Sequence, residues 1–174
     1  MIADVVEELA KAEIGATFNF YRDGPEANLR RRRLREYLGS REQAPFLVVG
    51  EAPGYRGARV SGIPFTSERQ LTGTGPAEAT ATIVHRVLAE LGIEEQVLLW
   101  NVVPTHPGTA RSNRRPSRRE VEEGIPFARR LARGRRVIAV GRLAEAALAA
   151  PYIRHPSHGG AEAFRRQLKT ALCC

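Results

Sequence analysis

Lysine is almost missing from this 174-residue chain: Lys11 and Lys169 are the only two among 27 basic residues, and the rest are arginine. Cysteine is confined to Cys173 and Cys174, adjacent at the extreme C-terminus. Such a pair cannot frame a disulfide-stapled fold, and alone it cannot hold a structural zinc or a four-cysteine iron–sulfur cluster. No run of 18 apolar residues occurs, so no membrane span is expected. Residues Met1 to Glu13 carry Asp4, Glu7 and Glu8 and lack the basic opening of a secretory signal, so the chain reads as cytoplasmic. There is no internal repeat and no low-complexity linker. The length fits one domain, residues 1–174, with 1–45 as a helical N-terminal extension packed on it.

The charge is lopsided. A net +8 and a pI near 10.4 favour a polyanionic partner. Arginine in place of lysine fits a GC-rich genome, but codon bias does not account for the positive balance. The run Arg30 to Arg33 with Arg35 is either a solvated face or a phosphate-facing or packing element.

Periodicity sets the order of elements. Ile2, Val5, Val6, Leu9 and Ala10 share a helical face over 2–13, and a second helix runs over 28–38. Phe46-Leu47-Val48-Val49-Gly50 is a buried strand. A glycine- and proline-rich loop follows to Ser67. A helix over 77–91, with Ile83, Val84, Val87, Leu88 and Leu91 as its buried stripe, ends at Gly92. A second strand spans 97–103. Ser117 and Glu120 form a capping box for a helix reaching about Arg133. Strands at 136–140 and 152–154, a short helix between them and a final helix over 161–172 complete the chain. Strands alternating with helices imply an α/β fold with a parallel sheet covered on both faces.

Polar residues interrupt the apolar strand pattern at Glu51, Asn101 and His155, each at a strand end. In a parallel sheet those ends share one edge, where open α/β sheets bind ligands. A Glu there can orient or deprotonate water. An Asn both donates and accepts, which suits a nucleobase edge. A His can stabilise charge on a leaving group, and Phe65 offers a stacking face. Together these parts fit attack by water at a sugar carbon with a nucleobase leaving as an anion. Taken singly, each has a plainer reading: Glu51 as a cap or ion-pair partner, Asn101 as a structural amide, Phe65 as core. His155 and His158, with only His85 and His106 besides, do not make a metal site, so no metal and no cofactor are expected.

Four segments, in order over residues 46–160, resemble motifs of the uracil-DNA glycosylase superfamily. Gly50-Glu51-Ala52-Pro53-Gly54 is similar to its first motif, in the form found in the iron–sulfur, thermophile-type branch. Gly62-Ile63-Pro64-Phe65 resembles the segment that follows it, Asn101-Val102-Val103 the strand carrying the base-reading Asn, and His155-Pro156-Ser157 the last motif. The resemblance implies a three-layer α/β/α sandwich around a four-stranded parallel sheet. It also implies a metal-independent, monofunctional DNA glycosylase acting by base flipping, as in base excision repair. Glu51 then lies in the water-activating motif and His155 stabilises the departing pyrimidine O2. Phe65, Asn101, Ala52 and Tyr55 contact the base. Ser157, His158, Arg56, Arg59, Arg111 and Arg114 contact DNA. The expected partner is DNA, with no membrane and a monomeric protein.

The chain departs from that pattern in three places. The cluster cysteines of the iron–sulfur branch are not in the body of the chain. The third motif position is Ala52, where other branches hold a water-activating Asp or Asn. His158, Gly159 and Gly160 stand where many relatives place an apolar wedge. Base choice stays open between two readings. Tyr55 closes the C5 side and leaves uracil as substrate, or Gly54 and Gly57 leave room for a C5 substituent that Arg56 and Arg59 would bind. The second reading implies a glycosylase for hydroxymethyl or glucosylated cytosine in phage DNA, and so phage defence. A third expectation, of another class, is a catalytically weak nucleic-acid-binding member whose arginines give salt-dependent affinity.

Overall fold

A computed structural model describes residues 2–172, with side chains from Asp4 onward; Cys173 and Cys174 lie outside the described residues. Four parallel strands form the central sheet in the order β2-β1-β5-β6: β1 (Phe46–Gly50), β2 (Val97–Asn101), β5 (Arg136–Val140) and β6 (Tyr152–Ile153). A small antiparallel hairpin, β3 (Gly108–Thr109) with β4 (Ser112–Asn113), stands outside it. The pleat sorts each strand's side chains between two cores. Leu47, Val49, Leu98, Trp100 and Ala139 face one side, with residues of α1 (Ile2–Lys11), α2 (Ala27–Ser40), α6 (Arg118–Leu131) and α7 (Arg142–Leu148). Val48, Leu99, Ile138, Val140 and Ile153 face the other, with α5 (Ala79–Leu91) and α8 (Ala161–Leu172). The result is the expected three-layer α/β/α sandwich.

Several boundaries differ from the sequence reading for physical reasons. Strand β2 ends at Asn101, although Val102 and Val103 stay buried and their N–H groups still donate to the Gly50 and Glu51 carbonyls. The apolar run therefore extends two residues beyond the ladder. The loop after β1 contains two short helices, α3 (Ala58–Ser61) and α4 (Glu68–Thr72), too brief for a periodic signal. Helix α5 begins at Ala79, so Glu78 becomes its N-cap.

The arginines of α2 pack against the chain's own backbone. Arg30 donates to the Val60 and Phe20 carbonyls, and Arg31 to the Tyr21 carbonyl. Arg33 donates to the Ser61 carbonyl and makes a bidentate pair with Glu68 at 2.8 and 3.0 Å. Of the alternatives for this run, packing applies to these three residues, and Arg30 and Arg33 tie the loop after β1 to the helical layer.

Candidate active site

Gly50 and Asn101 are register partners at the carboxyl ends of β1 and β2. Alternation puts both on the α5 side of the sheet, where the Phe65 ring covers Gly50. A Cβ at position 50 would overlap that ring and approach Asn101 Oδ1 to 3.1 Å, so glycine is required by close approach. Phe65 adopts a left-handed backbone (φ 53°), an unusual conformation for an aromatic residue that signals tertiary constraint. His85 supplies part of that constraint through the Phe65 carbonyl and Thr66 Oγ1, the latter at 2.9 Å. Burial lowers the His85 pKa.

Glu51, Ala52, Phe65, Asn101 and His155 line one cavity, together with Pro53, Gly54, Ala58, Glu78 and the first turn of α5. A wider cleft opens from it toward Ser157, His158, Asn113 and Arg114. Asn101 is 4% exposed, and its amide makes no hydrogen bond with the described residues. A buried amide normally finds a partner, so this one is available to a ligand. Glu51 is half-buried, and burial raises its carboxyl pKa while Arg115 opposes the shift.

The tautomer of His155 follows from its neighbours. The Ser157 N–H donates to His155 Nδ1 at 3.2 Å, and Ser157 Oγ lies 2.7 Å from the same nitrogen. Nδ1 is therefore an acceptor, and a neutral ring carries its proton on Nε2. Burial lowers the His155 pKa, helped by the positive fields of His158 and Arg154, so the neutral ring is favoured. His158 is exposed with a left-handed backbone (φ 51°), on the turn beside the wider cleft.

The other expected contact residues lie outside this cavity. Tyr55 does not line the cavity; its N–H donates to Asn113 Oδ1 at 2.9 Å, and Arg56 stacks over its ring at 5.4 Å. Arg59 stacks over Phe18 at 5.0 Å with its Nε buried, away from the cavity. Arg114 reaches the wider cleft but is held by Glu120 through bonds of 2.6 and 2.7 Å. Arg56 and Arg111 are exposed.

Two residues near the motif loop carried no signal in the sequence. His106 is fully buried, with Nδ1 2.8 Å from the Pro53 carbonyl and Nε2 2.8 Å from the Thr109 carbonyl, and so ties the hairpin to the first motif. Glu78 reaches the cavity from the start of α5 and covers Gly54 and Gly57. Among the described residues, no cluster of three or more His, Cys, Asp or Glu is arranged to hold a metal ion. Nor does any described helix have the length and apolarity to cross a membrane.

This is an α/β protein with an open parallel sheet and a polar, aromatic-walled cavity at its carboxyl edge, the place where such sheets bind ligands. The profile of the uracil DNA glycosylase superfamily matches residues 37–171, and the chain belongs to that superfamily of DNA glycosylases. Its fold is similar to that in the crystal structure of wild-type Pedobacter heparinus SMUG2, with a TM-score of 0.70 over 99% of this chain and 97% of that one. At 13% identity that likeness concerns the fold alone. No curated protein sequence matches the chain.

Proposed function

We propose that this chain hydrolyses the N-glycosidic bond of uracil or a related modified pyrimidine in DNA and leaves an abasic site. The observation that carries this reading is the buried Asn101 amide, unpaired within the described protein and beside the Phe65 ring in the cavity that also holds Glu51 and His155. A flipped pyrimidine stacks on Phe65 and offers its Watson–Crick edge to Asn101. Glu51 orients a water toward C1′. The C1′–O bond forms as the C1′–N1 bond breaks, the electron pair leaves with the base, and the water proton passes to Glu51 and solvent. The neutral His155 donates Nε2–H to the developing charge on O2. Burial serves both roles: it disfavours a charged imidazole, and it makes the Glu51 carboxylate more basic.

Exposed Arg56 and Arg111, with Ser157 and His158 at the mouth, contact the phosphates and the vacated stack. The working form in this reading is a monomer, and the reaction as written uses no metal or cofactor. Cytoplasmic base excision repair is the setting this activity fits. An oligonucleotide with one uracil should acquire an alkali-labile abasic site, and Glu51→Gln should reduce the rate without abolishing DNA binding. Salt-dependent binding with no abasic product from any base would instead favour a binding protein.

A further inference from the structure

Glu78 is the one cavity-lining carboxyl group that the proposed reaction leaves without a task. It is the N-cap of α5, where a side chain ordinarily accepts from the first N–H groups of its own helix. Glu78 makes no such bond, and no hydrogen bond or ion pair to its carboxyl group occurs among the described residues. The group instead lies over the first motif loop. A Cβ at Gly54 would overlap Glu78 Oε1, and one at Gly57 would overlap Oε2. Neither glycine has a positive φ, so room for this carboxyl group, not backbone freedom, is what a side chain at either position would remove. The sequence alone makes Gly54 and Gly57 an opening beside the base; the fold fills that opening from another element.

The chemistry of the cavity gives the group a direction. A pyrimidine whose Watson–Crick edge is read by Asn101 and whose O2 faces His155 has its C5 edge left for the remaining polar wall. Glu51 is engaged with the water, which leaves Glu78 and the Thr80 hydroxyl; of the two, Glu78 is the one set against Gly54 and Gly57 of the first motif loop. A carboxyl group at that edge accepts a hydrogen bond from a C5 substituent that carries a donor. A methyl group there would leave the buried carboxyl group without a partner, and an unmade hydrogen bond of that kind separates close analogues far more strongly than a difference in apolar bulk. Burial also raises the Glu78 pKa, as expected for a carboxyl group without a cationic neighbour.

We propose that Glu78 is the specificity-determining residue of this site: it faces the C5 edge of the flipped base and selects pyrimidines bearing a hydrogen-bond donor there over their C5-methyl counterparts. This rests on the glycosylase reading of the same cavity. Two matched pairs differing by one hydroxyl test it: 5-hydroxymethyluracil against thymine, and 5-hydroxymethylcytosine against 5-methylcytosine, each placed in the same duplex. Excision rates are compared for the wild type, Glu78→Ala and Glu78→Gln, with thermal unfolding as a check on folding. Dissociation constants are measured on the same sequences with a 2′-fluoro sugar that resists cleavage.

The wild type should favour the hydroxymethyl member of at least one pair by roughly tenfold or more, the size expected of one hydrogen bond. Glu78→Ala should bring that ratio within about threefold of unity, largely by gaining on the methyl member, and Glu78→Gln should retain part of it. An unchanged ratio in folded Glu78→Ala overturns the proposal. So does a uniform loss on every base, which would make Glu78 a water-activating or structural group. If no base is excised, the glycosylase reading fails. The dissociation constants still judge Glu78, because a ratio that does not change between wild type and Glu78→Ala counts against it there as well.

Discussion

Gly50 and Phe65 are in contact so close that a single methyl group on residue 50 would occupy the place of the ring edge. The same point is 3.1 Å from Asn101 Oδ1, so one glycine sets the spacing between the Phe65 ring and the Asn101 amide. Gly50→Ala should destabilise the protein by about 1–3 kcal/mol through overpacking. Adding Phe65→Leu should recover most of that stability while leaving excision low, because the stacking face is gone. Urea unfolding and single-turnover rates on the three variants separate the two effects. If Gly50→Ala alone were fully active, Phe65 would not be the wall of the site.

Asn101 and His158 test the inside and the rim of the cleft separately. Asn101 is 4% exposed and His158 is exposed, so only the first loses water when a base enters. Asn101→Ala should lower kcat/KM by about 1–3 kcal/mol, because it removes a buried hydrogen-bonding partner. His158→Ala should cost less, and mainly in KM. Equal losses with a good substrate would put the roles of both residues in doubt.

The pH profile should rise from the acid side, with the His155 limb centred below the ordinary histidine value of 6.5. In the proposed reaction the active forms are the Glu51 carboxylate and the neutral His155. Burial raises the pKa of the first above 4.5 and lowers that of the second below 6.5, so both are deprotonated on the plateau. Glu51→Gln should lower the plateau and remove the Glu51 part of the acid limb. A limb centred above 6.5 would mean that His155 is not held neutral by its surroundings.

Arg114 and Glu120 should behave as a stability pair rather than as a DNA contact. Glu120 is 1% exposed and accepts from Arg114, from the Ser117 N–H and from the Ala16 N–H, which holds its carboxyl pKa down to about 2 from 4.5. A depressed folded pKa contributes stability that is fully present above 4.5 and lost as the pH falls toward 2. Glu120→Gln should therefore cost on the order of 1–3 kcal/mol at neutral pH and flatten the acid-denaturation curve. Arg114→Ala should reduce melting temperature more than DNA affinity. The reverse order would return Arg114 to the DNA-binding surface.

The alternation of strands with helices, the four motif segments and the positions of Glu51, Asn101 and His155 at strand ends are local properties, written in runs of a few residues. Sequence alone was therefore enough to specify the α/β/α layers and the superfamily resemblance. It also gave the correct cap of α6, because a capping box needs only Ser117 and Glu120 three residues apart.

What remained for the tertiary structure were relationships between residues far apart in the chain. Tyr55 looks like the gate to the base when its neighbours are Gly54 and Arg56, but in three dimensions it does not line the cavity, and the glycines on either side of it are covered by Glu78. An expected helix start at 77 hides Glu78 within a first turn, where a carboxylate is ordinary; a start at Ala79 turns it out into the cavity. Arg30, Arg31 and Arg33 read as charge but act as donors to backbone carbonyls of the adjoining loops. The tautomer of His155 and the unpaired amide of Asn101 depend on where hydrogen-bonding partners lie in space. Composition counts charges and periodicity sorts faces, but only the packed chain determines which polar group has a partner and which is left for a substrate.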